Sequence, residues 1–296
     1  MATHNSREQG GDRVGYSEVV SQENIMKHYI LNMLRSYRSK FKSKYGNLVI
    51  CCDDVDYWRL AKFPYYKAKR NEHRDSQGID FDLIYKVMKE MIEDLHVWFP
   101  YKVIKVWHCE ADDVIGTLVK AANGQEPIMI VSGDKDFPQL QKFGQVKQYS
   151  PTKKIFLETD DPVSFLKEHI IRGDKDDGIP NVLSDGDTLV VKEKRQPPMT
   201  DKRIELIQDV VWADIPEEDM DKNVIETKTM NITFRELQSN ILRNRELIDL
   251  NMIPIDMQEA IISAYRNYDG CVERHKMFNY FIKNRLSKMM ERLQEF

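Results

Sequence analysis

The chain has 296 residues, enough for two domains or one large one, with 44 Lys+Arg against 48 Asp+Glu and a formal net charge of −4. Hydrophobic residues make up 41%, with no apolar run of membrane length and no signal-peptide core at the N-terminus, which argues against secreted and membrane-spanning proteins. Four cysteines (Cys51, Cys52, Cys109, Cys271) form neither a CxxC pair nor a framework, which argues against a zinc ribbon and for a reducing cytoplasm. The net charge alone argues against nucleic acid, but its distribution argues the other way. Between Arg35 and Arg74, eleven Lys/Arg meet four acids, a net of +7 that leaves −11 elsewhere. The remaining acids are clumped: Glu110, Asp112 and Asp113, then Asp134 and Asp136, then Asp174, Asp176 and Asp177. A basic stretch beside acidic knots suits an anionic polymer held next to bound cations.

In chain order, residues 1–20 are polar, Gly-containing and aperiodic, and read as a flexible arm. From Ser21, the residues Ile25, Leu31, Leu34, Tyr37 and Phe41 predict a helix. Leu48–Cys52 reads as a buried strand, Asp80–Phe99 as an amphipathic helix, and Val103–Val106 as a strand. A helix over Ala111–Ala122 precedes a strand at Pro127–Gly133, and Val146–Tyr149 reads as one more strand. Strands alternating with helices predict a parallel, twisted α/β sheet over 21–158. After about Asp160 the pattern turns helical. Asp161-Pro162 is an N-cap pair opening a helix through Ile171, and Gly173–Leu183 is a loop. Helices are predicted at Ile204–Val211, Phe234–Leu242, Ile255–Tyr268 and His275–Leu293, giving a helical domain over 159–296.

Three predicted strands run into carboxylates: Asp53-Asp54, then Glu110 with Asp112-Asp113, then Asp134 and Asp136. The carboxyl ends of parallel strands share one sheet edge, so these acids converge. An uncompensated cluster repels itself and gathers protons. A pair of Mg²⁺ ions resolves the conflict and is the usual device for in-line phosphodiester hydrolysis. A single acid at a strand-to-helix junction reads more simply as an N-cap, as Asp161 does, and Asp54 and Asp56 read as loop solvation. Three multi-acid clusters at successive strand ends are not explained that way. The basic stretch Tyr57–Arg74 interleaves Tyr57, Trp58, Phe63, Tyr65 and Tyr66 with Arg59, Lys62, Lys67, Lys69 and Arg70. A solvated charged face is the bland reading. Aromatics that stack on bases beside cations that hold phosphates are the functional one, with Lys62, Tyr66 and Lys69 contacting DNA. His108 beside Trp107 reads as a packed or surface residue, and Cys51 and Cys52 as inert strand residues.

The motifs EADD (Glu110–Asp113), D-K-D (Asp134–Asp136) and GDKDD (Gly173–Asp177) resemble the metal-ligand motifs of the 5′-nuclease, or flap endonuclease, superfamily. Tyr66–Arg70 resembles its Y-K-x-x-R arch element. From about Ser21 to the C-terminus the chain is most similar to the bacteriophage ribonuclease H branch. The resemblance implies a two-metal centre of Asp53, Glu110, Asp112, Asp113, Asp134, Asp136, Asp174 and Asp177, with Mg²⁺ replaceable by Mn²⁺. It assigns Arg59, Lys67 and Arg70 to the scissile phosphate, and a helix–loop–helix around Gly173 to duplex backbone. Asp176 is left to solvent. The implied activity removes RNA primers and 5′ flaps from RNA–DNA hybrids and branched duplexes during lagging-strand replication in the infected host cytoplasm. The implied partner is a phage single-stranded-DNA-binding protein, and the implied state a monomer.

The family begins with an apolar strand ending in an aspartate, and nothing before Ser21 offers one, Asp12 included. The expectation is therefore a surviving fold with impaired catalysis. A catalytically weak branched-DNA binder is the competing reading. A Toprim-type nucleotidyl transferase is a third, opposed by Asp112-Asp113 and the GDKDD segment.

Overall fold

The computed structural model describes residues 11–70, 78–211, 216–227, 230–270 and 273–296. Two compact units emerge: one from the segments ending at Ile50, Ile79–Val103 and Tyr268–Phe296, the other from Cys51–Gly78 and Ile104–Asn267.

The first unit is helical. Helix α1 (Gly11–Tyr45) starts ten residues before Ser21, so the second half of the expected arm is helical, while residues 1–10 lie outside the described residues. Helix α3 (Phe81–Trp98) follows a short α2 (Trp58–Lys62) in the chain and opens as expected: Asp80 accepts the Leu83 N–H at 2.9 Å. Val87, Met91 and Leu95 recur every four residues, so all three fall on one stripe, and all are buried. Burying each stabilises the unit by about 1.5–3 kcal/mol. The Phe99 ring stands 5.2 Å from Tyr280, 5.8 Å from Phe281 and 5.9 Å from Phe296, an aromatic knot in which all four are buried. The helix expected over His275–Leu293 is split into α9 (Arg274–Lys283) and α10 (Ser287–Met290). Arg285 adopts φ +56°, and the N–H groups of Arg285 and Leu286 return to the carbonyls of Ile282 and Phe281. That is a Schellman stop, and a following apolar Leu286 completes it.

Strands β1 (Val49–Cys52) and β2 (Lys102–Lys105) form one sheet; β3 (Ile128–Val131), β4 (Val146–Ser150) and β5 (Ile155–Leu157) form another. The β3–β4 pair is parallel, in register from Ile128↔Val146 to Val131↔Tyr149. The expected parallel sheet is thus present as separate pieces among the described residues, with an unforeseen antiparallel β5. Helix α4 (Ala111–Ala122) crosses from β2 towards β3 behind a reciprocal capping box of Glu110 and Asp113. Its Gly116 lies where a Cβ would meet Leu250 at 3.2 Å, which lets the loop before α8 (Ile255–Arg266) pack closely.

The C-terminal part of this unit contains α5 (Pro162–Arg172), α6 (Asp201–Val211) and α7 (Phe234–Ile248). Asp161 caps α5 as predicted, accepting from Val163 and Ser164. An antiparallel hairpin, β6 (Asn223–Thr227) and β7 (Met230–Thr233), interrupts the stretch expected to be helical, and feeds α7 through a Thr233/Glu236 capping box. Ile170, Ile171, Ile179, Val182, Leu237 and Leu247 form the core that fixes the Gly173–Leu183 loop.

Candidate metal centre

All the predicted site residues belong to the second unit. One group of carboxylates is already neutralised by the protein. The side chains of Glu110 and Asp113 are 1% and 0% exposed, and the guanidinium of Arg59 bridges them at 2.8 Å to each. Arg59 also donates to the Leu247 carbonyl at 2.8 Å, while Trp58 Nε1 donates to Asp113 at 3.1 Å and the Glu110 N–H at 2.9 Å. Burial would push the Arg59 charge off, but Asp113, Tyr66 and Glu110 hold it on. Arg59 is buried among its partners, and Asp113 is engaged in capping and pairing. Glu110 stands at the border. Its Oε2 takes Arg59 and Tyr66, while Lys67 covers Oε1.

A second group has no such compensation. Asp112 sits one residue along α4, Asp134 and Asp136 follow β3, and Asp53 follows β1. Asp53 accepts the Ala111 N–H at 2.8 Å, and Asp134 accepts the Asp136 N–H at 2.9 Å, which fixes both loops. Burial, then Asp136, Asp134 and Glu110, pushes the Asp112 carboxyl well above the usual carboxylate range. Burial, then Asp134, Asp174 and Asp177, does the same to Asp136. Among the described residues no Lys or Arg pairs with either. Asp136 Oδ1 is buried without a hydrogen bond. Buried like charges and an orphaned oxygen are what a divalent cation satisfies, and oxygen donors suit such ions. Asp54, by contrast, is structural: burial works against its charge, but the His108 N–H and Lys105 hold its carboxyl below the usual range.

The loop after α5 supplies the third side. Gly173 turns at φ +67°, and a Cβ there would meet the Ile179 and Pro180 carbonyls at 2.5 Å. Gly178 turns at φ +75°, with Tyr65's carbonyl 2.7 Å from where a Cβ would stand. The Tyr65–Lys67 turn docks there, and the Lys67 N–H donates to the Asp177 carbonyl at 2.8 Å. Asp177 then takes Tyr66 Oη at 3.1 Å, Arg70 at 2.7 Å and Lys67 at 3.8 Å. Asp174 is buried and paired with Lys135 at 2.8 Å. Burial would raise its carboxyl, but His169 and Lys135 hold it low. Asp176 is exposed and meets Lys135, consistent with its assignment to solvent.

The basic stretch is less of an outward surface than its composition suggests. Trp58, Phe63 and Tyr66 are buried, and Tyr66 donates its hydroxyl to Glu110 and Asp177. Burial pushes its phenol well up. Lys62, Lys69 and Arg70 are exposed as expected, whereas 71–74 lie outside the described residues. Tyr65 is exposed within the stretch and Trp107 beyond it, the Trp107 ring tilted against His108 at 3.9 Å between centroids. The described cysteines are free; burial raises the thiols of Cys51 and Cys109 to about 12 and that of Cys52 to about 11, so they are inert, and Cys271 lies outside the described residues. His169, which the sequence did not single out, stands between Asp136 and Asp174 at 3.5 Å from each.

The family model described as the 5′-3′ exonuclease N-terminal resolvase-like domain matches residues 20–168, half of the chain. The chain belongs to the 5′-3′ exonuclease family. As a member it is a metal-dependent 5′-nuclease. A second model, the T4 RNase H C-terminal domain, matches residues 164–296. Ribonuclease H of Enterobacteria phage T4 is 29% identical over 280 residues, covering 92% of this chain and 87% of that protein. A T5 protein co-crystallised with metal ions shares the fold at a TM-score of 0.55 and 18% identity, over 83% of this chain and 92% of that one. A bacteriophage T5 flap endonuclease in complex with DNA and metal ions matches at a TM-score of 0.51 and 19% identity, over 73% and 80%. No described helix is long and apolar enough to cross a membrane.

Proposed function

We propose that this chain hydrolyses phosphodiester bonds of RNA–DNA hybrids and 5′-flapped duplex DNA, working from the 5′ end as an exonuclease and at the junction as a flap endonuclease. The observation that carries the reading is the uncompensated pair Asp112 and Asp136, buried beside other carboxylates and without a paired Lys or Arg among the described residues, both pushed well up by burial and by those neighbours. Asp53, Asp112, Asp134, Asp136 and Asp177 would hold two divalent ions, Mg²⁺ or Mn²⁺, with Asp174 helping through water. When bound, such ions supply an activated water and charge stabilisation for in-line displacement. Lys67, paired with Glu110, would contact the scissile phosphate. Arg70, half out in solvent on Asp177, is the second phosphate contact. Tyr66 and Arg59 position these groups from behind.

The α/β region 21–158 carries the chemistry in this reading, and 159–296 holds duplex backbone. A cavity of about 450 Å³ lined by Lys69, Lys175, Lys192, Lys194, Arg195 and buried Thr188 supports the grip. Of those cations Lys194 is paired with Asp185 and Asp187. Backbone contacts of this kind are salt-dependent and indifferent to sequence. The phage relative supports action in the infected bacterial cytoplasm; a monomer that meets a single-stranded-DNA-binding protein belongs to the same proposal, and sedimentation with and without such a protein tests that pairing.

The test is cleavage of an end-labelled 5′-flap and an RNA–DNA hybrid in Mg²⁺, Mn²⁺, Ca²⁺ and EDTA, with Asp134→Asn alongside. Metal-dependent release of 5′ products, lost in the variant, is expected. Flap binding in Ca²⁺ with no turnover in Mg²⁺ or Mn²⁺ would replace this reading with the branched-DNA binder.

A further inference from the structure

His169 lies in the last turn of α5, and its side chain is 8% exposed. The Phe165 ring, one turn earlier, meets it edge-on at 6.0 Å between centroids. Neither ring nitrogen has a hydrogen-bond partner, and both are buried. Nδ1 stands 3.5 Å from Asp136 Oδ1, which is itself buried and unbonded, and Nε2 stands 3.5 Å from Asp174 Oδ2. The other oxygen of Asp174 is already occupied by Lys135 at 2.8 Å and by the Asp176 N–H at 2.9 Å. Ligand atoms of Asp136, His169 and Asp174 all fall within 4.8 Å of one another.

Three buried polar atoms with no contact shorter than 3.5 Å among them are costly unless a ring proton or a bound cation joins them. Around a tetrahedral ion with bonds of about 2.0–2.2 Å, neighbouring donors lie roughly 3.3–3.6 Å apart, which is the spacing seen here. An imidazole gives a metal one nitrogen and donates its other N–H to a carboxylate that orients the ring. Asp174, half occupied by Lys135, suits the orienting part, and the unbonded Asp136 oxygen suits the co-ligand. Hard Mg²⁺ keeps oxygen donors and water, whereas Mn²⁺, Co²⁺ and Zn²⁺ accept imidazole readily.

We propose that His169 is a nitrogen ligand of the metal centre, through which the position beside Asp136 selects a first-row transition ion, Mn²⁺, Co²⁺ or Zn²⁺, over Mg²⁺. The proposal rests on the metal-centre reading above and adds a selectivity that a carboxylate-only set does not provide. Calorimetric titration of Mn²⁺ and of Mg²⁺ into the full chain, wild type and His169→Gln, reads the selectivity directly. The wild type binds Mn²⁺ more tightly than Mg²⁺, and the variant loses on the order of ten- to a hundredfold in Mn²⁺ affinity while its Mg²⁺ affinity changes little. Pulsed electron paramagnetic resonance of the Mn²⁺-loaded wild type needs no variant, and it shows coupling to a directly bound ¹⁴N. An unchanged Mn²⁺/Mg²⁺ ratio in His169→Gln, or no ¹⁴N coupling, would overturn the proposal and make the ring a counter-ion between two carboxylates. Binding of neither metal to the wild type would instead sink the metal-centre reading itself.

Discussion

Glu110 and Asp113 sit at the head of the same helix as Asp112, yet the protein treats them in opposite ways. The first two are sealed under Arg59, Trp58, Tyr66 and Lys67. Asp112 shares its space with Asp134 and Asp136 and no paired Lys or Arg among the described residues. Charge balanced inside the chain belongs to the fold, and charge left in deficit marks where something from solvent completes it. Burial alone does not separate the two groups; the presence of partners does.

The comparison breaks most visibly at Arg59. Arg59→Met leaves Asp113 buried without a charge partner and Glu110 with Lys67 alone, and should cost about 3–5 kcal/mol in urea denaturation; adding Asp113→Leu should recover part of it. Trp58→Phe removes one hydrogen bond to the Asp113 carboxylate. A loss of about 1.5–3 kcal/mol is expected by the same measurement, with metal affinity unchanged.

On the open side the sign reverses. Asp136→Asn relieves repulsion, so the metal-free variant should be more stable than wild type at neutral pH by roughly 1 kcal/mol, while metal no longer raises its melting temperature. Raised folded-state values for Asp112 and Asp136 mean that the folded chain keeps their protons longer than the unfolded one. Their contribution is complete below the unfolded carboxylate value, near pH 4, and fades as pH rises through the raised values. Metal-free protein should therefore lose stability across that window, and added Mg²⁺ should flatten the loss. Asp174, held low, acts oppositely and contributes only to losses below about pH 4. The smallest effect belongs to the exposed cations: Lys192→Ala should weaken flap binding evenly across sequences and reduce the salt slope by about one unit.

That acids following strands gather was legible in the sequence, and Asp112, Asp134 and Asp136 do meet, although β1 and β3 belong to separate sheets. Arg59 was not legible as a strut. A charge run reads as solvated, and its burial depends on Glu110 and Asp113, more than fifty residues away in the chain. The burial of Tyr66 was hidden for the same reason. His169 sits on an ordinary amphipathic helix, and only the fold brings Asp136 beside it. Strand β5 has half-exposed Ile155 and Phe156 in succession, without the alternation that announces a strand. The β6–β7 hairpin hides in a stretch with few turn-forming residues. The Gly173–Leu183 loop could be read from the sequence, whereas the turns at Gly173 and Gly178, each pressed against backbone carbonyls, emerge only from the fold.

The central claim is that Asp112 and Asp136 await a divalent cation. It is tested most directly by titrating Mn²⁺ into the wild-type chain at pH 6 in two buffers of different ionisation heat. Carboxyls held above their usual range must release protons when metal binds, so the apparent binding heat should differ between the buffers, and Asp136→Asn should shrink that difference. Binding heats identical in both buffers, or no binding at all, would contradict the account.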